Sequence, residues 1–528
     1  MIQTVILARS APKRVCGRAG TKGVDPMTPR KCRAAHVLWW RLCLSAVVLV
    51  AAATGVSEAR AAVLVVDKDK AQCPRARYTS IQRAVDAARR GDKVKVCADH
   101  YAEQVTIDKP LTLHGDPDAV AAIDCFAAAP SEAGELDPTR YPVVDPAGDG
   151  FSVAFRLAAN NIGLKGLVVE GASVGIDASD SFSGYRVDHN LIQHHTGFAI
   201  DFGSAGDRRS RVDHNCIRNN SLGLASELDD DSNWPLPPVG TNREPYARDT
   251  FSARIDHNDM TANTQAIYLA GPGQRKDVRI DHNHSQHDRN VGIVLQNSTD
   301  SAIVDNDIIE PGPTAWGIGI GGGNTALLIA DNRLVGGLVG INFGRDEEFF
   351  DQFPLPNTNV VVSGNDIRST RFSGIQALTD ALAASIITGN TSRENARAGI
   401  VISGGRDNEI TANTTSENQG TGISLTDANT DSDVSSNIST RNGASGLFLG
   451  VGSTRNNFTN NTANDNGRHG IGLAANATGN TFTGNAMHGN GRLDPAGRDA
   501  FDPNFPLNTW IGNDCTTDNQ AGAICSTG

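Results

Sequence analysis

Ile387-Thr388-Gly389-Asn390, Ile410-Thr411-Ala412-Asn413, Val434-Ser435-Ser436-Asn437, Phe458-Thr459-Asn460-Asn461 and Phe482-Thr483-Gly484-Asn485 are five lines of one repeat. Their asparagines follow one another by 23, 24, 24 and 24 residues. A second mark comes nine residues after each of the first four: Gly399-Ile400, Gly422-Ile423, Gly446-Leu447 and Gly470-Ile471. A fixed period of this length means stacked supersecondary units, each burying its apolar side against the next.

Each line holds short alternating runs such as Gly422-Ile423-Ser424-Leu425. Period-two alternation describes a strand with one face buried. Between residues 152 and 490 no apolar pattern of helical period outlasts one turn, and the Leu-x-x-Leu-x-Leu lines of leucine-rich repeats are absent. The solution left is a right-handed parallel β-helix, one coil per repeat, with coils ~4.8 Å apart. The recurrent Asn is expected in a tight turn, where Asn tolerates left-handed geometry. Stacked asparagines can hydrogen-bond along a ladder, so they are read as structural.

Outward from the regular stretch, the Asn position falls at Asn190, Asn215, Asn258, Asn283, Asn306, Asn332 and Asn365, with Leu167 in its place in an earlier coil. About thirteen coils follow, a solenoid of roughly 60 Å at ~4.8 Å per coil. Two spacings break the period, 43 residues from Asn215 to Asn258 and 33 from Asn332 to Asn365. The extra residues, 225–250 and 343–358, leave the same corner of the helix four coils apart, about 19 Å at that rise. Both insertions carry aromatic and acidic residues, among them Trp234 and Tyr246 in one and Phe349 and Phe350 in the other. Long loops on a repeat scaffold tend to carry function.

The ends differ from the middle. Residues 42–53 are a continuous apolar run preceded by Arg30, Lys31, Arg33 and Arg41, with Ala59-Arg60-Ala61 as a cleavage site. This is the pattern of a secretory signal over 1–61, with a long basic lead-in that suggests Met27 as the true start. The run is short for a membrane-spanning helix. The expected organisation is then a signal at 1–61, an N-terminal cap and first coils at 62–150, β-helix repeats at 151–493 and a C-terminal cap at 494–528. Residues 62–528 hold 37 basic and 57 acidic side chains, a net of −20. That disfavours nucleic acid and anionic membrane as partners. Six of the nine cysteines remain after the signal, an even count that suggests disulfides in an exported chain. Nearness favours Cys73–Cys97 and Cys515–Cys525, which leaves Cys125–Cys216. No Cys/His metal spacing occurs, so no metal or other cofactor is expected.

Residues 79–90 read as the one convincing helix. Thr79 and Gln82 make a capping-box pair, Ile81, Ala84, Val85 and Ala88 an apolar stripe, and Gly91 a stop. Such a helix covers the open end of the core. The segments Tyr78-Thr79-Ser80-Ile81-Gln82-Arg83-Ala84-Val85, Gly91-Asp92-Lys93-Val94, Tyr101-Ala102-Glu103-Gln104-Val105 and Leu111-Thr112-Leu113-His114-Gly115 resemble the opening of exported right-handed β-helix proteins. Pectinesterases and NosD-like repeat proteins, members of the pectin-lyase-like group, open in a similar way. The resemblance implies the fold. Catalytic motifs of the known enzymes are incomplete here. Where polygalacturonases carry an aspartate pair stands Gly450-Val451-Gly452. Of the Asp-Pro-His-Asp motif of mannuronan epimerases, Gln286-His287-Asp288 matches only His-Asp.

The strand face between the two insertions is the candidate groove. Tyr268, Trp316, Asn342 and Trp234 are the candidate binding residues, with aromatic faces that can lie against sugar rings. His287-Asp288-Arg289, on an exposed turn, could supply a general base and a cation for an enolate or carboxylate. Asp-His-Asn recurs in four coils, at Asp188-His189-Asn190, Asp213-His214-Asn215, Asp256-His257-Asn258 and Asp281-His282-Asn283. Stacked in register, this makes a column of Asp beside a column of His, and like charges in a column call for a counter-cation or protonated His. Three functions stay open. The first is a secreted or cell-envelope protein, without catalysis, that binds polysaccharide or a surface partner. The others are a polysaccharide lyase, epimerase or hydrolase, and a NosD-like copper-handling protein.

Overall fold

The computed structural model describes residues 61–127, 136–146, 151–178, 182–226, 250–270, 273–309, 311–344 and 355–525. The segment to residue 60, expected to be a signal, the Asp-rich 227–249 with Trp234, Glu310, and 345–354 lie outside the described residues. The chain from Ala61 onward is one compact unit.

Three long parallel sheets of 17, 16 and 15 strands run the length of this unit. Each coil contributes a strand to each sheet in turn. In the first sheet Val187, Val212, Ile255 and Ile280 stand in register, and all are buried. Their neighbours Arg186 and Asp188 face outward, as alternation in a three-residue strand requires. Identical positions therefore stack into columns. Ile200, Leu224, Ile267 and Ile293 form one in the third sheet, and Phe458, Phe482 and Trp510 stack at 5.0 and 4.1 Å toward the C-terminal end. The expected β-helix of about thirteen turns is present, and the sheets run on past the asparagine-marked coils at both ends.

The asparagine ladder is present from Asn190 to Asn513, and its geometry corrects the expectation about the turn. The residue before each Asn, not the Asn itself, takes positive φ: His189, His214, His257, His282, Asp305, Asp331, Gly364, Gly389, Ala412, Ser436, Asn460, Gly484 and Gly512. The Asn side chain points inward instead. Asn413 Oδ1 accepts from the Asn390 backbone N–H at 3.0 Å and from Asn390 Nδ2 at 2.9 Å. Its Nδ2 donates to Ile387 O at 2.8 Å and to Asn437 Oδ1 at 3.0 Å. One buried amide thus serves two backbone groups of the preceding coil, which would otherwise be buried unpaired, and passes a bond on to the next coil.

A second ladder occupies the next turn, five residues on. It runs from His195 through Asn220 and Asn263 to Asp288, and again from Thr370 through Asn395, Asn418, Asn442 and Asn466 to Asn490 and Asp499.

The N-terminal helix is shorter than its pattern predicts. It spans Ile81–Ala87, its N-cap is Ser80 rather than Thr79, and it ends at Ala88, which turns to extended geometry ahead of Gly91. Glu103, from the Tyr101-Ala102-Glu103 segment, supplies the cap from outside. Its carboxylate accepts from Ile81 N, Gln82 N and Ser80 Oγ at 2.8–3.0 Å. A carboxylate at a helix N-terminus satisfies donors that have no partner within the helix. Ile81, Ala84 and Val85 are buried, as the stripe predicts. A five-residue helix, Pro117–Ala121, was not predicted. The disulfides are Cys73–Cys97, Cys125–Cys216 and Cys515–Cys525, the expected pairs.

Two adjacent substitutions separate the roles in the turn. Asn413→Ala strands Asn390 N–H and Ile387 C=O inside the solenoid, and should cost on the order of 3 kcal/mol. Ala412→Gly relieves the left-handed strain at φ 54° and should stabilise by up to about 1 kcal/mol. Urea unfolding monitored by circular dichroism measures both. Equal effects at the two positions would contradict the division of labour.

Candidate functional site

The Asp-His-Asn columns form as expected, but the protein supplies its own countercharge. Because each His takes left-handed geometry, Asp and His lie side by side rather than on opposite faces. Nδ1 of His189, His214, His257 and His282 is 2.9–3.1 Å from Oδ2 of the preceding Asp. The imidazoles stack at 4.9, 5.0 and 4.9 Å, within 8° of parallel. Arg211 forks onto Asp256 at 2.9 and 2.6 Å, and Arg254 onto Asp281 at 3.0 and 2.6 Å, each from one coil to the next. Lys165 reaches Asp188 at 2.9 Å. For Asp256 and Asp281 burial alone would raise the carboxyl; the arginine and histidine hydrogen bonds outweigh it and hold both below the usual carboxylate range. The Nδ1–H is donated to Asp, which turns Nε2 away from it. Parallel rings at this spacing do not converge their Nε2 atoms on one ion. Among the described residues, metal-type clusters occur only around Asp67, with Asp69 and Asp99 or with Cys73 and Cys97. Those two cysteines are bonded to each other. Asp67 accepts backbone bonds from Lys70 and Cys73, and Asp99 from Asp69 and His100.

His287-Asp288-Arg289 does not sit together on an exposed turn. His287, in left-handed geometry, and Arg289 are exposed. Asp288 is fully buried, because it occupies a ladder position. Its Oδ1 accepts from Asn263 N and Nδ2 at 2.8 and 3.0 Å, and its Oδ2 from Ser285 Oγ at 2.6 Å. Burial pushes the carboxyl up to about 6, against the hydrogen bonds that favour its charged form.

The groove face has its expected register. Tyr268, Val294, Gly319, Asn342 and Gln376 stand in one outward column, each on the residue after an Ile of the core. Tyr268, however, is not an open platform. It is 5 % exposed and packs in an apolar cluster with Val291, Val294, Leu222 and Phe198, against which the part-exposed Trp316 leans. The indole lies across its own strand above Gly319, where a Cβ would come within 2.8 Å of Trp316 Cε3. Glycine at 319 is what lets the ring lie there.

Beside this cluster is a cleft of about 330 Å³ lined by Trp316, Leu338, Val339, Asn342, Phe372, Gln376 and Leu378. Of the four candidate binding residues it gathers Trp316 and Asn342; Tyr268 stands apart, and Trp234 lies outside the described residues. Two lining atoms are orphaned. Asn342 Oδ1 and Gln376 Oε1 are buried with no hydrogen-bond partner. An unpaired buried polar atom costs about 1–3 kcal/mol, and native structures keep few of them. Arg397 lies over Phe372, 3.9 Å from the ring centroid. Sequence reading missed Phe372 and Gln376. Their signal is present, since Gly374-Ile375-Gln376 repeats Gly340-Ile341-Asn342 with an amide in the same outward place.

Asp288 generates a test of the ladder with a definite sign. A carboxyl whose folded pKa lies above its unfolded value binds a proton more tightly when folded, so stability falls as pH rises from about 4 through about 6. Asp288→Asn keeps the acceptor and removes the charge. It should leave stability unchanged near pH 4 and raise it by up to about 3 kcal/mol at pH 7.5. Urea midpoints at both pH values measure this, and a variant destabilised at pH 7.5 would show that the carboxylate is needed charged.

The profile of the family described as "Right handed beta helix region" matches residues 316–487. No curated protein matches. Solved structures match at low identity and low structural overlap. One is the A-module of a mannuronan C-5 epimerase from Azotobacter vinelandii, at 12% identity and TM-score 0.36, covering 83% of this chain and 94% of that one. Another is the catalytic unit of an α-1,3-glucanase from Streptomyces thermodiastaticus, at 15% and 0.40, covering 81% and 68%. A third is the N-terminal fragment of gene product 12 of bacteriophage Phi29, at 15% and 0.44, covering 85% and 71%. The chain is a right-handed parallel β-helix protein, and the matched residues lie in its regular coils.

Proposed function

We propose that this chain is an exported glycan-binding protein whose ligand lies in the cleft at Trp316. The observation that carries the reading is the pairing of aromatic walls, Trp316 and Phe372, with two orphaned amide oxygens, Asn342 Oδ1 and Gln376 Oε1. Sugar rings present apolar faces to aromatic rings and hydroxyl donors at their edges. No titratable side chain is among the described residues lining the cleft. General acid–base chemistry there would need a group brought from elsewhere, which favours binding over turnover.

Export is supported by three disulfides, which persist in oxidising compartments, and by the signal pattern of 1–61. N-terminal sequencing of the exported protein should begin at Ala62.

A glycan-array screen of the purified protein identifies the ligand, and calorimetry on the best binder tests the site. Trp316→Ala should weaken binding by on the order of 1 kcal/mol or more through the lost stacking surface, while His287→Ala leaves it unchanged. Undiminished affinity in Trp316→Ala would move the site elsewhere. Products released from the bound glycan would show that the protein is an enzyme, and His287→Ala would then be the first variant to assay for turnover.

A further inference from the structure

We infer that the glycan taken by this cleft is uncharged, a neutral polyhydroxylated chain rather than a uronate or sulfated one. The inference rests on the glycan reading above and narrows it by charge.

Three observations carry it. The lining is Trp316, Leu338, Val339, Asn342, Phe372, Gln376 and Leu378, without a cationic side chain among the described residues. The two orphaned groups are amide carbonyl oxygens on neighbouring coils, paired in register across the sheet. Carbonyl oxygens only accept, so their complement is a donor. Sugar hydroxyls donate, whereas a carboxylate or sulfate only accepts. An anionic group at this place would lose its hydration, face two acceptors and gain no countercharge. The chain as a whole is acidic, formal net −12, so it offers no long-range attraction to a polyanion either.

Arg397 stands beside the cleft without lining it. Its guanidinium lies on the ring of Phe372, 3.9 Å from the centroid, and it is not among the lining residues. A planar cation on an aromatic face stabilises that ring in place. Arg397 therefore serves as the backing of a cleft wall, not as a floor for an anion. A bridging cation would need a carboxylate in the lining to hold it, and none is there among the described residues.

Calorimetry with the purified full chain tests this. The probes are neutral gluco-, manno- and xylo-configured hexasaccharides, with hexagalacturonate and hexamannuronate as the charged arm. At least one neutral probe should bind, the uronates at least tenfold more weakly, and the neutral affinity should change less than twofold between 0.05 and 0.5 M NaCl. Asn342→Leu and Gln376→Leu, each shown folded by circular dichroism, should each lose tenfold or more for the neutral probe. A uronate that binds as tightly as the best neutral probe overturns the inference while leaving the glycan reading intact. So does affinity that falls tenfold with salt. Full neutral affinity in both amide variants overturns the recognition argued here. Failure of every neutral and acidic probe to bind overturns the glycan reading itself, and this inference with it.

Discussion

Everything in this molecule depends on the amide that each coil lends to the next. A parallel solenoid turns three times per coil, and each turn leaves backbone N–H and C=O groups facing inward, away from water. Asn413 shows the remedy: one side chain accepts twice from the coil before it and donates both to an earlier strand and to the coil after it. The bonds close only if Asn recurs at the same place in every coil. A one-residue slip would also turn each strand inside out. The strict period, the single-residue core columns and the position of every outward side chain follow from that one requirement.

The same turn explains the surface chemistry. With the Asn side chain committed inward, the left-handed residue before it is left free to vary. It is His in four coils, then Asp305 and Asp331, then mostly small residues. In the histidine coils the strand ahead carries Arg-x-Asp, so Arg211 and Arg254 reach across one coil and neutralise a column of carboxylates that would otherwise repel. Two kinds of buried aspartate result, with opposite responses to pH. Asp256 and Asp281 contribute stability above the unfolded carboxyl value near 3.8, and that contribution is lost as pH falls through their lower folded values. Asp288, for which burial outweighs its hydrogen bonds, works the other way.

What was legible in the sequence was what repeats. The coil period, the alternation of Gly422-Ile423-Ser424-Leu425 and the three cysteine pairs needed only spacing. The left-handed residue was misassigned because Asn tolerates that geometry best among non-glycine residues, while the worth of its amide as a ladder rung is invisible in a single line. Ser80 displaced Thr79 as helix cap because Glu103, from the connection between the strands Asp99–Tyr101 and Val105–Ile107, joins it there. Tyr268 was read as open because alternation tells which side of a sheet a residue faces, not what covers that side. Trp316 and Asn342 were found by facing outward near an insertion. Phe372 and Gln376 were missed although Gly374-Ile375 stands nine residues after Asn365, as in the regular coils, because that line follows the second insertion and so lies outside the face between the two.

A break in the second ladder locates the cleft physically. The second ladder stops at Asp288 and resumes at Thr370. In the two coils between, its position is held by Pro311 and Gly337, which have no amide to offer. Gly337 takes positive φ, and a Cβ there would meet Pro311 Cγ at 2.8 Å. These are the coils whose strands carry Trp316 and Asn342. Where the ladder is interrupted, the indole lies over Gly319 and Asn342 keeps an unpaired oxygen; Gln376 keeps one in the coil where the ladder resumes. Places where a sequence breaks its own rule tend to be functional. Here unsatisfied hydrogen-bond acceptors stand against aromatic walls, a complement to a hydroxylated ligand.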